Sequence, residues 1–219
     1  MDVLYYVGSG SRHNNMELRY SLRSLEKHCK DIDKVWVVGN RPLFLRNVEY
    51  IWVEDKYKWH TNACLKTRAA IDAGISSDFL LMNDDFFMTT DFTAKDYPYY
   101  HKGDMPESGD TEYKQVIANT RKYLEQNGHS FKHYGVHCPM VINAEKYKSL
   151  EKFYHEPMSI RCLYGNLFTK GRLVKDCKGE KFKSSPTKCF SSKEWMGNDF
   201  VKELDKLYPT PSKWEEADV

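Results

Sequence analysis

Four short runs of β-forming residues, VLYYV (3–7), VWVV (35–38), VEYIWV (48–53) and FLLM (79–82), alternate with helical or Gly/Pro-marked stretches. That alternation leaves few folds open. Strands that are apolar throughout are buried on both faces, and strands separated by helices form a mostly parallel sheet with crossover helices packed against it. Between the first two runs, Leu18, Leu22, Leu25 and Cys29 recur at spacings of four, three and four, predicting a helix from about Asn15 to Cys29. Before FLLM, the segment TNACLKTRAAIDAG predicts a second helix ending at Gly74 as a C-cap. We therefore expect an α/β fold with a mostly parallel, Rossmann-like central sheet flanked by helices. In such sheets ligands bind at the carboxyl ends of the strands.

The second half is less regular. The spacing predicts a helix from Thr111 with Gly128 as its cap, a strand over PMVI (139–142), a helix from the Asn143 cap through Tyr154, and a last helix from about Asn198 using Val201, Leu204 and Leu207. At 219 residues the chain suits one domain. With 41% hydrophobic and 29% charged residues it is globular rather than disordered.

The net charge of +2 does not announce a nucleic-acid binder, although eight Lys or Arg lie between Lys170 and Lys193 against Asp176 and Glu180. That stretch reads either as a solvated surface or as a face for a polyanion. The first ten residues, MDVLYYVGSG, carry no basic segment followed by a long apolar one, and no apolar run is long enough to span a membrane, so a soluble, cytoplasmic protein is expected. Six scattered cysteines without a CxxC pair suggest reduced structural thiols.

The chemically telling stretch is FLLMNDDFF, which sets Asn83, Asp84 and Asp85 at the carboxyl end of the fourth run. Adjacent carboxylates repel, so the pair either caps a strand as an acidic turn or holds a cation. A hard divalent ion takes one or two carboxylates and completes its shell with water and phosphate oxygens, the arrangement needed to neutralise a departing diphosphate. The GSGSR loop after the first run lies at the same rim. Arg19 and Arg23, four apart on the first helix, either approach an anion there or pair in solvent with Glu17 or Glu26. His137 reads as a structural histidine or as a third ligand to the ion. Asp199, in KEWMGNDF, reads as a favourable first-turn acid or as a general base.

Taken together, NNMELRYSLRSLEKH, VWVVGN, TNACLK and FLLMNDDFF resemble, in order and approximate spacing, the blocks of the Stealth family of sugar-phosphate transferases, relatives of GT-A-type glycosyltransferases. The resemblance covers residues 14–90 closely and continues loosely through HCP (137–139) and SIR (159–161). It implies a nucleotide-sugar donor contacted by Asn62 and Arg19, with His137 and Arg161 approaching its phosphates; Arg23, one turn from Arg19, and Asn83, beside the acids, are further donor-binding candidates by position. It also implies that Asp84 and Asp85 hold Mn2+ or Mg2+ or act at the reacting phosphate, which makes Asp85 and His137 candidate catalytic groups, with His137 as a candidate further ligand on the reading above. Separately, the Trp-x-Gly turn before Asp199 is similar to the acidic motif that supplies the general base in many inverting GT-A-type enzymes, which would give Asp199 that role. Ile160 stands where the family carries an aromatic residue, and the chain is much shorter than typical members.

On this reading residues 1–92 form a donor-binding half and residues 93–219 an acceptor-side half of one catalytic domain. The expected reaction is metal-dependent glycosyl transfer to a glycan or to a hydroxymethylated base in DNA, with sugar-1-phosphate transfer to a surface polysaccharide as the alternative. A non-catalytic module using Trp59, Tyr97, Tyr99 and Tyr100 to stack on sugars or bases is the third possibility.

Overall fold

The computed structural model describes residues 1–219 except 10, 12, 13, 180, 181, 193–196 and 217–219, and at 197 and 198 the backbone alone. In chain order the first half comprises β1 (Asp2–Val7), α1 (Met16–His28), β2 (Val35–Gly39), β3 (Glu49–Ile51), α2 (Trp59–Asp72), β4 (Asp78–Met82) and β5 (Phe86–Met88). The second half adds β6 (Tyr100–His101), α3 (Glu112–Gln126), β7 (Met140–Asn143), α4 (Ala144–Lys148), α5 (Ile160–Phe168), β8 (Arg172–Leu173), β9 (Lys178–Gly179), β10 (Cys189–Ser192) and α6 (Gly197–Leu207).

The main sheet has the order β3-β2-β1-β4-β7. Its first four strands are parallel and only β7 runs the other way, pairing Phe79 with Ile142 and Leu81 with Met140. Because successive side chains of a strand alternate, β1 divides its apolar residues between two cores. Val3, Tyr5 and Val7 pack with Leu18, Leu22 and Leu25 of α1, whereas Leu4 packs with Cys64 and Ala70 of α2 and with Ile117 and Leu163 from α3 and α5. A small sheet, β5-β10-β9, continues the α1 side, and Phe87 and Phe190 from it meet Phe200 and Leu204 of α6.

The expected α/β architecture is present, with differences at the edges. The third strand is confined to Glu49–Ile51, and α2 begins at Trp59, two residues ahead of the expected start. The helix expected from Asn143 to Tyr154 stops at Lys148 and gives way to a 3-10 turn at Glu151–Phe153. Asn143 does cap it, accepting from Lys146 N at 3.1 Å, but Ser149 Oγ donates back to Lys146 O at 2.7 Å, a local bond that competes with helix continuation. Tyr97 and Tyr100 are core residues, their hydroxyls donating to Thr187 O and Pro186 O, and are closed to stacking ligands.

The outer face of α1 is covered by the C-terminal segment. Arg23 grips Glu215, with Nε 3.1 Å from both carboxylate oxygens and Nη2 2.9 Å from Oε2, and Glu215 is fully buried. Ser212 donates to the same carboxylate through its amide and its hydroxyl, both at 2.9 Å. Removing one partner of a buried, hydrogen-bonded pair leaves the other charge uncompensated, at a cost of about 3–5 kcal/mol. We expect Glu215→Gln to lower stability by about 3 kcal/mol in urea unfolding, and Lys213→Ala, at the exposed end of that segment, to leave it nearly unchanged.

Candidate active site

A cavity of about 680 Å³ opens over the carboxyl ends of the parallel strands. Tyr6, Gly8 and Ser9 from the end of β1, Asp55 beyond β3, and Leu81 and Asn83 from the end of β4 form one side. Trp59, His60, Asn62 and Lys66 of α2, Tyr113 of α3, Gly135 to His137, and Ser159 to Arg161 at the start of α5 form the other.

The floor depends on a buried lysine. Lys66 Nζ donates to Val7 O at 2.9 Å and lies 2.6 Å from Asp55 Oδ1, so α2, the end of β1 and the segment after β3 are locked together. A side chain at Gly39, whose φ is +115°, would place its Cβ 2.1 Å from that same carbonyl and 3.0 Å from the lysine. The glycine is required by this close approach.

Asn83, Asp84 and Asp85 turn the chain from β4 into β5, closed by Phe86 N on Asn83 O at 3.3 Å. The acidic-turn reading of the stretch is therefore correct as local structure, and the pair is also electrostatically unsettled. Burial, then the neighbouring Asp85, then Glu17 of α1 push the Asp84 carboxyl up to about 7. Asp85 Oδ2 accepts from Ser191 Oγ at 2.6 Å. Glu17 accepts from Ser11 Oγ at 2.7 Å through Oε1, while its Oε2 is buried with no hydrogen-bond partner.

Among the described residues these three carboxylates have no ion-pair partner, and carboxylates so placed match the donor chemistry of a hard divalent cation. Among the described residues, no three His, Cys, Asp or Glu side chains converge as ligands, so protein groups alone do not complete a coordination shell. His137 in particular is not a third ligand beside Asp84 and Asp85. Its ring and amide are drawn to Asp176, with Nδ1 3.0 Å from both carboxylate oxygens and the backbone N–H 3.0 Å from Oδ1.

Burial tends to raise the Asp176 carboxyl. Hydrogen bonds from His137 and from Lys102, whose Nζ is at 2.8 Å, outweigh it and hold the group well below the usual carboxylate range. An ionised Asp176 fixes the ring through Nδ1 and leaves Nε2 as the free nitrogen of a residue that lines the cavity. Arg161 also lines it, donating from Nε to Tyr134 O at 2.9 Å and from Nη2 to Cys138 O at 2.6 Å. Carbonyl partners hold the guanidinium in place without cancelling its charge.

Other expected contacts are placed elsewhere. Arg23 is committed to Glu215. Arg19 lies over the Phe44 ring, 4.4 Å from its centroid, with Nη1 3.9 Å from the same carboxylate. Neither lines the cavity, because the face of α1 that carries them packs against the C-terminal segment. Asn62 lines the cavity, yet its amide closes the loop before α2, accepting from Tyr57 N at 3.0 Å and donating to Tyr57 O at 2.6 Å. Asp199 is 96% exposed in the first turn of α6, 3.3 Å from Lys202 Nζ, and is not part of the lining. The Trp-x-Gly turn before it lies largely outside the described residues. Of the basic stretch, Lys170, Arg172, Lys175 and Lys183 are exposed, Lys188 Nζ donates to Asp91 O at 2.7 Å, and Lys181 and Lys193 are outside the described residues. Sequence reasoning missed Asp176, Lys66, Asp55 and His60, which meet the site only through tertiary structure.

No family model matches the chain. Among solved structures it is similar to the galactosyltransferase LgtC in complex with donor and acceptor sugar analogs, with a TM-score of 0.51 and 15% identity over 97% of this chain and 98% of that one. The fold is GT-A-like. An active-site mutant of LgtC gives 0.48 and 15% identity over the same shares. Likeness at this identity concerns the fold alone, and no relation to the Stealth family emerges from it. No helix among the described residues is long and apolar enough to cross a membrane.

The raised carboxyl has a pH consequence. Folded Asp84 holds its proton up to about 7, whereas its ordinary value is 3.8, so between those values the native state binds more protons than the unfolded chain. With divalent ions chelated, stability falls as pH rises through this window and stays low above it. Asp84→Asn should flatten that dependence and raise stability at pH 8 by about 1–2 kcal/mol, read from urea midpoints between pH 4 and 8.

Proposed function

We propose that the chain is a nucleotide-sugar-dependent glycosyltransferase that uses Mn2+ or Mg2+ held by Asp84 and Asp85. The observation that carries this reading is the crowding of Asp84, Asp85 and Glu17 next to Asn83, which lines a cavity that Arg161 and His137 also line. Acids at the cavity's edge and a fixed guanidinium in its lining suit a diphosphate with its counter-ion. The GT-A-like fold agrees with it, and LgtC, solved with donor and acceptor sugar analogs, supplies the analogy for a donor and an acceptor in one site.

When bound, the ion neutralises charge on the departing nucleoside diphosphate. The remaining work falls to side chains of this chain. Asp84 and Asp85 bind the ion, Asp85 being oriented by Ser191, and Arg161 donates to phosphate oxygens from a guanidinium anchored on two carbonyls. The Lys66–Asp55 pair keeps the floor rigid under the nucleotide. As the acceptor oxygen bonds to the anomeric carbon, the bond from that carbon to the phosphate oxygen breaks, and the acceptor proton must leave. His137, oriented by Asp176, is better placed for that proton than the exposed Asp199.

The same His137–Asp176 pair beside Arg161 favours a second reading, attack at phosphorus with transfer of sugar 1-phosphate. The released nucleotide separates them, diphosphate for glycosyl transfer and monophosphate for sugar-phosphate transfer. The acceptor is a glycan hydroxyl in this proposal; hydroxymethylated DNA is tested in parallel.

In a screen of nucleotide sugars with added Mn2+, we expect one donor to be hydrolysed or transferred with release of nucleoside diphosphate. Asp85→Ala should reduce the rate at least about 100-fold, and Asp199→Ala should change it less than about threefold. Metal-independent turnover, or full activity of Asp85→Ala, would refute the proposal.

A further inference from the structure

Two partly exposed aromatic residues, Trp59 and Tyr113, line the mouth of the cavity. Trp59 opens α2 and is 49% exposed, and Tyr113 lies in the first turn of α3 and is 42% exposed. Large apolar side chains are usually covered, and these two form a unit. Their ring centroids are 5.8 Å apart with planes inclined by 38°, and the residues just before them, Lys58 and Glu112, form an ion pair at 2.5 Å that ties the two helix starts together. Insertion of a third ring between them would need roughly 7 Å, twice a carbon contact of about 3.5 Å. The pair therefore does not clamp a ring between its members, and a ligand would rest against their exposed side, with His133 flanking Tyr113, ring centroids 6.4 Å apart.

A polar group lies beside the pair. His60 is 7% exposed, lines the cavity and packs edge-on against Trp59 with centroids 5.3 Å apart. Its Nδ1 is buried with no hydrogen-bond partner, a defect that native interiors seldom tolerate without a purpose. Burial lowers the pKa of the ring, so it is neutral at pH 7 and offers one donor and one acceptor. An apolar surface with a neutral donor–acceptor group at its edge is the complement of a pyranose, whose C–H face stacks on aromatic rings while its equatorial hydroxyls hydrogen-bond in the ring plane.

The location separates this surface from the nucleotide seat. Lys66 meets Val7 O at the end of β1. Trp59 lies seven residues earlier on α2, hence about 10 Å further out along the helix. We propose that Trp59 and Tyr113, with His60, form the acceptor subsite and bind a neutral pyranoside by stacking. This assignment rests on the glycosyl-transfer reading for the word acceptor, though not for the binding itself.

The test uses the full chain and defined probes: methyl glycosides of β-galactose, α-galactose, β-glucose, α-mannose and N-acetyl-β-glucosamine, with 5-hydroxymethyl-2′-deoxycytidine and UDP plus Mn2+ for comparison. Binding is followed by saturation-transfer NMR and titration. At least one glycoside should bind through its C–H protons, and Trp59→Ala and Tyr113→Ala should each weaken it at least about tenfold. Trp59→Phe, which keeps a ring, should stay within about threefold, and UDP with Mn2+ should shift the melting temperature of every variant as it does the wild type. Absence of glycoside binding to the wild type, glycoside affinity indifferent to Trp59, or an equal loss for UDP or the nucleoside would overturn the assignment. If UDP and all donors fail with the wild type while the glycoside result holds, the glycosyl-transfer reading falls and the saccharide subsite stands.

Discussion

Everything at this site follows from β1 being hydrogen-bonded in parallel on both sides, to β2 and to β4. Parallel pairing, continued from β2 to β3, aligns the carboxyl ends of β1 to β4, so Gly8 and Ser9, the segment leading to Asp55, and Asn83 to Asp85 leave the sheet along one rim. The strand ends there are not closed by further strands. Instead Lys66 reaches from α2 to cap Val7 O and pairs with Asp55, which stabilises the rim while leaving room above it. A ligand site on such an edge needs no further backbone distortion.

The two halves contribute different chemistry across the opening. The first supplies acids, Asp84 and Asp85 with Glu17 behind them. The second supplies Arg161 and the His137–Asp176 pair, along with Tyr113 beside Trp59. Trp59, His60 and Lys66 of α2 come from the first half and line the cavity together with Tyr113 and Arg161 of the second. Charge separation across a cavity of about 680 Å³ is what a polyanionic ligand with its own cation would find complementary.

The central fold was legible because its signals are local. Apolar runs mark β1, β2 and β4, and the Leu18, Leu22, Leu25 spacing marks the inner face of α1. NDD was legible for the same reason, being contiguous in the chain. The failures are of a different kind. Arg19 and Arg23 sit where an anion-binding pair would sit on α1, but the carboxylate that meets them is 192 residues from Arg23. No spacing rule reaches that far. Asp176 lies 39 residues from His137, again beyond any local spacing rule, and His60 carries no motif; its significance lies in a nitrogen without a partner among the described residues. For Asp199 sequence left both readings open, because helix-start acids and general bases share one local pattern; its exposure and its distance from the cavity lining emerge only from the fold.

The proton held by Asp84 has a thermodynamic consequence for any cation that docks there. A metal ion binds the carboxylate rather than the acid, so loading expels that proton wherever the pH is near or below about 7. The solution must absorb it, and the heat of binding therefore includes the ionisation enthalpy of whatever buffer is present. Calorimetric titrations in phosphate and in Tris would differ in apparent enthalpy by an amount proportional to the protons released, and that proportionality counts the protons without any assumption about which side chain held them.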